Sequence, residues 1–312
     1  MGVWQDDTLS ATFMPNPPTI RSYTPDDLET LAALRLGYAP SPVEAAALAR
    51  WLAQPNIDAG RDCMLAFNDD DTPAGFAILI REPAIGRGVV EINGSNQHRG
   101  GGAGDALLRE VYERGRAAGL DVLQVDVPES DEARRKAFAE RGWAHIRTHL
   151  HLRREGTERT NVLAPDGMTL RLAGPADAPA VTDVQNTAFT GSWGYAPNTR
   201  AEIAYRILEL PDLRPDPIVL LEEDAALVGY CWCHREAEDA PGIVGMVGVL
   251  PGRQGKGLGR AVTGAGMDAL LELGSPSLEI TVDSENPPAI RVYESLGFVL
   301  DWRSFWYELR LT

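Results

Sequence analysis

The sequence of 312 residues is poor in cysteine and in basic side chains, and it lacks a long hydrophobic run. Three cysteines are too few for a disulfide scaffold, and reduced thiols suit a cytoplasmic protein. The net charge is −16, whereas a protein that binds nucleic acid usually presents a basic face. No stretch approaches the ~18 apolar residues of a membrane helix, and the N-terminus lacks the features of a secretory signal. We therefore expect a cytoplasmic protein that binds neither nucleic acid nor membranes.

Two of the three cysteines flank a tryptophan in the run Cys231-Trp232-Cys233. The run is strand-like, so both thiols are expected on the same face of a sheet. Packing is the favoured interpretation, with a thiol or metal role as the alternative. A metal site would need more ligands nearby, and we predict none.

The chain repeats itself with a period of about half its length. Residues 19–27 match residues 169–177 at an offset of 150. Three later landmarks, including a glycine-rich run and a closing Gly-aromatic pair, follow at offsets of 154 to 155. This constancy predicts two homologous domains, at residues 17–155 and 166–312, joined by a polar linker. Each copy reads as strands and helices in the same mixed order, which predicts an α+β (α/β) fold with helices on both faces of a sheet.

A glycine-rich segment in the second copy, residues 247–260, joins a β-branched strand to a helix. The first amides of a helix have no internal partner, and glycines let backbone approach an anion, so a pyrophosphate fits there. Arg253, Lys256 and Arg260 add positive charge. The glycine spacing fits neither a Walker A loop nor a dinucleotide fingerprint. By itself the run is also compatible with a glycine-rich turn that binds no ligand.

A second signal follows about thirty residues later. Asn286 is a suitable N-cap and Pro287 suits the first position of a helix that ends at Gly297. Asn286, Ala289 and Tyr293 share one face of that helix. A tyrosine in this place can protonate a leaving thiolate, although a packed tyrosine and a capping asparagine explain the residues equally well.

Together the two segments resemble the GNAT superfamily of acetyltransferases, whose pyrophosphate loop and later Asn-x-x-Ala-x-x-x-Tyr pattern are both matched. The resemblance implies two tandem GNAT-like domains, each with a mixed, mostly antiparallel sheet flanked by helices. It also implies direct transfer of an acetyl group from acetyl-CoA, the cosubstrate, to a primary amine of a small molecule or peptide. Tyr293 would be the general acid. The implied cofactor-binding positions in the second copy are Val247, Gly248, Val249, Arg253, Gln254, Gly255, Lys256, Gly257, Leu258, Gly259, Arg260 and Asn286.

The second copy departs from the tandem members of the family at its fourth strand. Their active domain carries a glutamate base there, near the position of Ile243, but residues 243–249 contain no acid. His234 and Glu236 are the candidate catalytic bases that we select, with Glu279 as a further substitute. Each is equally explained as an ordinary strand or surface residue.

The first copy retains part of the glycine-rich anion-binding segment but has no counterpart of the general acid Tyr293. Arg99, Gly102 and Gly104 are retained as cofactor-binding candidates, whereas Tyr293 corresponds to Phe138, which cannot donate a proton. We predict that this copy is catalytically silent and leave its binding of acetyl-CoA open. The alternative for the whole chain is a non-catalytic acyl-CoA sensor or scaffold.

The acceptor site is expected beside the first helices of the second copy. Phe189, Trp193 and Tyr195 are candidates for its lining, together with the acidic loop at residues 236–239. The acids favour a cationic amine as the acceptor. We expect a monomer or a weak homodimer, because tandem copies can satisfy internally the pairing that single domains obtain by dimerising.

Overall fold

A computed structural model of the protein describes residues 17–36, 45–94, 102–208, 217–235 and 239–311. The first half contains β1 Thr19–Ser22, a 3-10 turn Pro25–Asp27, α1 Leu28–Leu36, α2 Ala45–Leu52, α3 Ala59–Asp62, β2 Cys63–Phe67, β3 Pro73–Glu82, a 3-10 turn Pro83–Ile85, β4 Arg87–Gly94, α4 Ala103–Ala117, β5 Val122–Pro128, α5 Glu132–Glu140 and β6 Ala144–Glu155. The second half contains β7 Met168–Leu172, a 3-10 turn Pro175–Asp177, α6 Ala178–Ala188, α7 Arg200–Leu208, β8 Ile218–Glu223, β9 Ala226–Arg235, β10 Gly242–Val249, α8 Leu258–Glu272, β11 Ser277–Asp283, α9 Pro287–Ser295 and β12 Val299–Arg310.

The internal repeat is visible in the structure down to single ion pairs. Arg21 pairs with Asp27 at 2.6 Å in the first half, and Arg171 pairs with Asp177 at 2.7 Å in the second. Both aspartates also accept a backbone N–H at the start of their 3-10 turn, which fixes the exit from the first strand. The predicted fold class is therefore confirmed: mixed, mostly antiparallel strands flanked by helices, in two tandem copies.

The strands of both halves form one continuous sheet, in which the last strand of each half has changed places. In the described residues the order is β1-β2-β3-β4-β5-β12-β6-β11-β10-β9-β8-β7. The C-terminal strand β12 pairs with β5 of the first half, and β6 pairs with β11 of the second. This exchange was not part of the sequence prediction. The proposed boundaries at 155 and 166 stay a prediction, since each half contributes a strand to the sheet of the other.

A pseudo-twofold axis passes between the two exchanged strands. β6 and β12 are antiparallel neighbours, and His149 lies opposite Ser304. These two residues are 155 positions apart, the offset found in the sequence, so equivalent residues face each other at the axis. The two halves are thus related by symmetry about the centre of the sheet, and their parallel strand pairs lie on opposite sides of it.

Each half has one hydrophobic core on either face of the sheet, as alternating strand residues require. In the second half α8 and α9 cover one face, where Met267, Ile280 and Phe298 are buried, and α6 and α7 cover the other. Cys231 and Cys233 do project to the same face, with their sulfurs 3.5 Å apart and packed against Gly266 of α8. None of the helices in the described ranges is long and apolar enough to cross a membrane.

Candidate functional site

The glycine-rich turn of the second half is open. Gly252, Gly255 and Gly257 have φ values of +81°, +77° and +78°, a left-handed conformation that glycine adopts at little cost. Apart from their own chain neighbours, no atom of the described residues lies within 4 Å of where a Cβ would stand on any of these glycines, or on Gly259. Gly257 is the N-cap of α8 and supplies no capping side chain. The helix therefore starts with amides that are available to an anion.

Strands β10 and β11 separate close to this turn. They pair in parallel only from Gly242 opposite Leu278 to Val244 opposite Ile280, and a bulge follows in β10 before Met246. The segment from Val247 to Val249 continues to pair with β9 on its other side. Its remaining main-chain edge thus faces the gap between the strands, where it can bind an extended, amide-containing arm.

The side chains of the turn divide into those engaged by the protein and those facing solvent. Arg253 is ion-paired with Glu223 at 2.5 Å, and Gln254 donates through Nε2 to the carbonyl of Val249 at 3.0 Å. Lys256 and Arg260 are exposed. The structure therefore brings positive charge to the rim of the turn, while Gln254 links the turn to the end of β10.

Helix α9 carries Asn286 at its N-terminus, and its Tyr293 belongs to the same core cluster as Val247 and Val249 of β10. Asn286 is the N-cap, as its sequence position predicts, and its Oδ1 accepts the N–H of Ala289 at 3.2 Å. Tyr293 is 8% exposed and packs edge-on to Phe298, with ring centroids 6.2 Å apart. Burial raises the pKa of the Tyr293 phenol, and the nearby Cys231 thiol adds a smaller rise. Tyr293 therefore keeps its proton at neutral pH, as a proton donor must.

The structure separates the candidate bases. His234 is half-buried on β9, opposite Ile243 and next to the bulge at Gly245. Glu279 on β11 is ion-paired with Arg153 at 2.8 Å. Glu236 lies outside the described residues. Strand β10 itself carries no acid, so the expected carboxylate position is filled by apolar residues and glycine.

In the first half, side chains and backbone partly fill the region that corresponds to the glycine-rich turn and the gap of the second half. Gly102 is the N-cap of α4, Gly104 lies against Gly94 at the end of β4, and Arg99 lies outside the described residues. Arg134, the counterpart of Ala289, donates to the carbonyl of Ile92 at 2.7 Å. Ile92 is the counterpart of Val247, whose main chain is predicted to hold the cofactor arm.

A cavity of about 660 Å³ remains around this place in the first half. Phe138, the counterpart of Tyr293, lines it, as do Asp126, Trp302 and Ser304. Two of these residues come from the exchanged strand β12. Sequence reasoning missed their presence here, because no local pattern assigns β12 to the first half.

The loop between α6 and α7 lies over the exchanged strands. Trp193 contacts the rings of His149 and Trp306, with centroids 5.9 and 5.8 Å away, and the Arg147 guanidinium lies 5.0 Å from a Trp193 ring centroid.

Phe189 and Tyr195, in the same loop region, stack on each other with ring centroids 5.1 Å apart. Main-chain Gly194 accepts a hydrogen bond from Arg87 of the first half. The predicted acceptor-lining residues thus sit at the junction of the two halves.

Comparison with known proteins places this geometry in a family. The sequence profile of the acetyltransferase (GNAT) family matches residues 28–143 and 178–298. The chain is 35% identical over 252 residues to a mycothiol acetyltransferase of Thermomonospora curvata, covering 78% of this chain and 80% of the relative. A mycothiol acetyltransferase of Pseudarthrobacter chlorophenolicus is 33% identical over 234 residues, covering 72% of this chain and 71% of the relative.

Solved structures share the whole architecture. A tandem GNAT protein from the clavulanic acid biosynthesis pathway aligns with a TM-score of 0.73 at 20% identity, over 95% of this chain and 99% of the other. A GCN5-related N-acetyltransferase from Sphaerobacter thermophilus gives 0.71 at 19% identity, over 96% and 97%. The resemblance to tandem members such as mycothiol synthase is confirmed. The chain therefore belongs to the GNAT family, in its tandem two-domain form, and is an N-acetyltransferase.

Proposed function

We propose that the second half transfers the acetyl group of acetyl-CoA directly to a primary amine of a small molecule or peptide. The observation that carries the proposal is the open glycine turn at the start of α8, set beside the free edge of β10 and the buried phenol of Tyr293. The relatives described above are mycothiol acetyltransferases, which supports a small molecule as the acceptor.

The residues of the chain fit distinct parts of acetyl-CoA. Amides from Gln254 to Gly259 would hold the pyrophosphate, and exposed Lys256 and Arg260 would add attraction at the rim. The main chain of Val247, Gly248 and Val249 would bind the pantetheine arm across the gap. Asn286 caps α9 through its Oδ1, which leaves its Nδ2 to donate a hydrogen bond to the arm.

In this proposal the amine attacks the thioester carbonyl, the C–S bond breaks, and Tyr293 protonates the departing thiolate. The Tyr293 ring is enclosed in the core formed by α8, α9 and the sheet, which shields the transfer from bulk water. The first half lacks this donor because Phe138 stands in its place. We assign turnover to the second half alone. Acetyl-CoA binding through Arg99, Gly102 and Gly104 remains a prediction.

The acceptor would enter from the side of the α6–α7 loop, on the opposite face of the sheet from α9. Trp193 and the stacked pair Phe189–Tyr195 give this entrance aromatic walls. Glu236 and its neighbours 237–238 lie outside the described residues, so the preference for a cationic amine rests on the charge of the sequence. His234 and Glu236 stay candidate bases.

Release of free CoA thiol, followed with acetyl-CoA and a panel of primary amines, tests the function. We expect turnover with at least one small amine, and a loss of about 10²-fold in kcat for Tyr293→Phe, the size typical of general acid catalysis. The phenylalanine keeps the ring packing, so binding of acetyl-CoA should be nearly unchanged. Phe138→Tyr in the first half is the matched control and should leave turnover at the wild-type level. Equal turnover of the wild type and Tyr293→Phe would exclude the acid role.

A further inference from the structure

A continuous chain of hydrogen bonds crosses the centre of the sheet, with one residue from each of four neighbouring strands. Thr281 Oγ1 on β11 lies 3.1 Å from His151 Nδ1 on β6. His151 Nε2 lies 2.9 Å from Ser304 Oγ on β12, and Ser304 donates to Asp126 Oδ2 on β5 at 2.9 Å. The four residues meet only because β12 and β6 have changed places between the halves. We call Thr281, His151, Ser304 and Asp126 the cross-sheet chain.

The protons in the cross-sheet chain all point the same way. Ser304 gives its single hydroxyl proton to Asp126, so its oxygen accepts from His151, which must carry a proton on Nε2. The neutral ring then has a bare Nδ1, and this atom accepts the hydroxyl proton of Thr281. His151 and Ser304 each donate and accept a hydrogen bond, and Asp126 accepts at the end, as required for a proton to move from Thr281 towards Asp126.

The first end of the chain lies where β10 and β11 separate. Thr281 directly follows Ile280, the last residue of β11 that pairs with β10, and it is exposed. Its neighbours Ile280 and Val282 face the core with α8 and α9, so Thr281 faces the side of the α6–α7 loop. Thr281 and Tyr293 are therefore on opposite faces of the gap, one on the acceptor side and one on the side of the departing sulfur.

The other end of the chain is a buried carboxylate that can take up a proton. Burial raises the pKa of Asp126 to about 6, although the Arg134 charge and the Ser304 hydrogen bond oppose the rise. Asp126 Oδ1 has no hydrogen-bond partner within the described structure. Asp126 and Ser304 also line the 660 Å³ cavity of the first half. A proton that reaches Asp126 can therefore leave through this cavity, away from the acceptor site.

The middle of the chain is held rigidly in a neutral state. The ring of His151 stacks on Trp302 with centroids 3.4 Å apart and planes 8° from parallel. Burial lowers the pKa of His151 to about 4, and His149 on the same strand face lowers it further. Arg153, on that face as well, is neutralised by Glu279 and Glu155. His151 is therefore uncharged before the reaction and ready to accept a proton.

We propose that the acceptor ammonium loses its proton to Thr281 Oγ1, while the Thr281 proton moves to His151 Nδ1 and the His151 Nε2 proton passes through Ser304 to Asp126. The freed lone pair of the amine forms the new C–N bond. The cross-sheet chain has then gained one proton, which is bound to Asp126. This inference rests on the proposed function and supplies the base that β10 lacks. Thr281 is the catalytic residue, and His151, Ser304 and Asp126 are positioning residues that act through it. The first half then serves as the proton outlet of the second.

His151→Gln tests the chain, with His149→Gln as the matched control. Both histidines lie on the same face of β6, and His149 accepts a hydrogen bond from Trp306 outside the chain. We expect His151→Gln to lower kcat/KM about 10²-fold at pH 7 for an amine found by the thiol-release screen. His149→Gln should lower kcat/KM far less and shift the pH profile only slightly, because His149 contributes the smaller part of the lowering of the His151 pKa. Equal losses and equal profiles in the two variants would overturn the proposal.

Two further measurements separate proton transfer from packing. Thr281→Val, which keeps the shape and removes the hydroxyl, should match His151→Gln, and Thr281→Ser should restore most of the activity. A fluorinated analogue of the acceptor, whose amine is already uncharged at pH 7, should be acetylated equally fast by the wild type and His151→Gln. If His151→Gln slows this analogue as much as the parent amine, its role is structural. Absence of turnover in the wild type with every amine would instead contradict the proposed function itself.

Discussion

At the residue scale, the structure gives several side chains a role that depends on their partners more than on their type. Gly266 is one example, because a Cβ there would stand 2.4 Å from the Cys231 sulfur and 2.9 Å from that of Cys233. Asp126 is another, since a buried carboxylate with one bare oxygen costs free energy at neutral pH. Such a cost is typical of groups kept for function.

Asp126→Asn should therefore stabilise the fold. The folded pKa of about 6 lies above the ordinary 3.8, so the charged form is disfavoured in the native state. The penalty is fully present above pH 6, shrinks as the pH falls through 6 towards 3.8, and vanishes below 3.8. Asparagine keeps an acceptor for Ser304 and removes the charge. We expect a gain of about 1–3 kcal/mol in the free energy of unfolding at pH 8.

Urea unfolding of the wild type and Asp126→Asn between pH 3.5 and pH 8 measures this difference. The gain should fall to near zero at the acidic end. Activity should change in the opposite direction, because the amide cannot accept the relayed proton. A variant that is less stable than the wild type at pH 8 would show that the charge of Asp126 is compensated in the native state.

At the scale of elements, the parts that the sequence predicted are those set by local chemistry. Neighbouring residues determine the N-cap at Asn286 and the start of α8 after the glycine turn. They also place the two cysteine side chains on the same face of one strand. The partner of a strand does not. β6 and β12 occupy equivalent places in the repeat, so either can pair with β5 or β11, and only the tertiary structure decides. The cross-sheet chain could not be found from the sequence for the same reason.

Helices α5 and α9 show how one substitution separates the two copies. At the repeat offset of 155, Arg134 occupies the position of Ala289, and its guanidinium donates a hydrogen bond to the Ile92 carbonyl. Arg134→Ala frees that carbonyl. Because one hydrogen bond of this kind contributes about 1 kcal/mol, we expect the first half to bind acetyl-CoA roughly fivefold more tightly.

Calorimetric titration of the full chain with acetyl-CoA, analysed for two sites, measures the change. Lys136→Ala, at an exposed position of the same helix, is the control and should bind as the wild type does. A titration of Arg134→Ala that coincides with that of the wild type would mean that Arg134 does not compete with the cofactor arm. In either case Phe138 leaves this half without a proton donor.

At the scale of the whole molecule, the exchange makes the two halves interdependent. Seven residues of β11 pair with β6, and seven of β12 pair with β5. The linker adds contacts of its own, because Thr160 binds Asp268 of α8 through both its N–H, at 2.7 Å, and its hydroxyl, at 3.0 Å. Separating the halves would break both ladders and expose the edges of β5 and β11. Each half therefore depends on the other to complete its sheet.

A chain cut in the linker should consequently stay assembled. Residues 157–159 are exposed, so a specific protease site can be placed there without disturbing Thr160. We expect the cleaved protein to elute from gel filtration at the position of the intact chain. It should unfold in urea in a single transition, because neither half has a complete sheet without the strand of the other. Variants in which Trp143 is the single remaining tryptophan of the first half, or Trp232 that of the second, report the unfolding of each half separately by fluorescence. Two resolved transitions, or fragments that separate on the column, would show that the halves fold independently and that β6 and β12 do not hold them together.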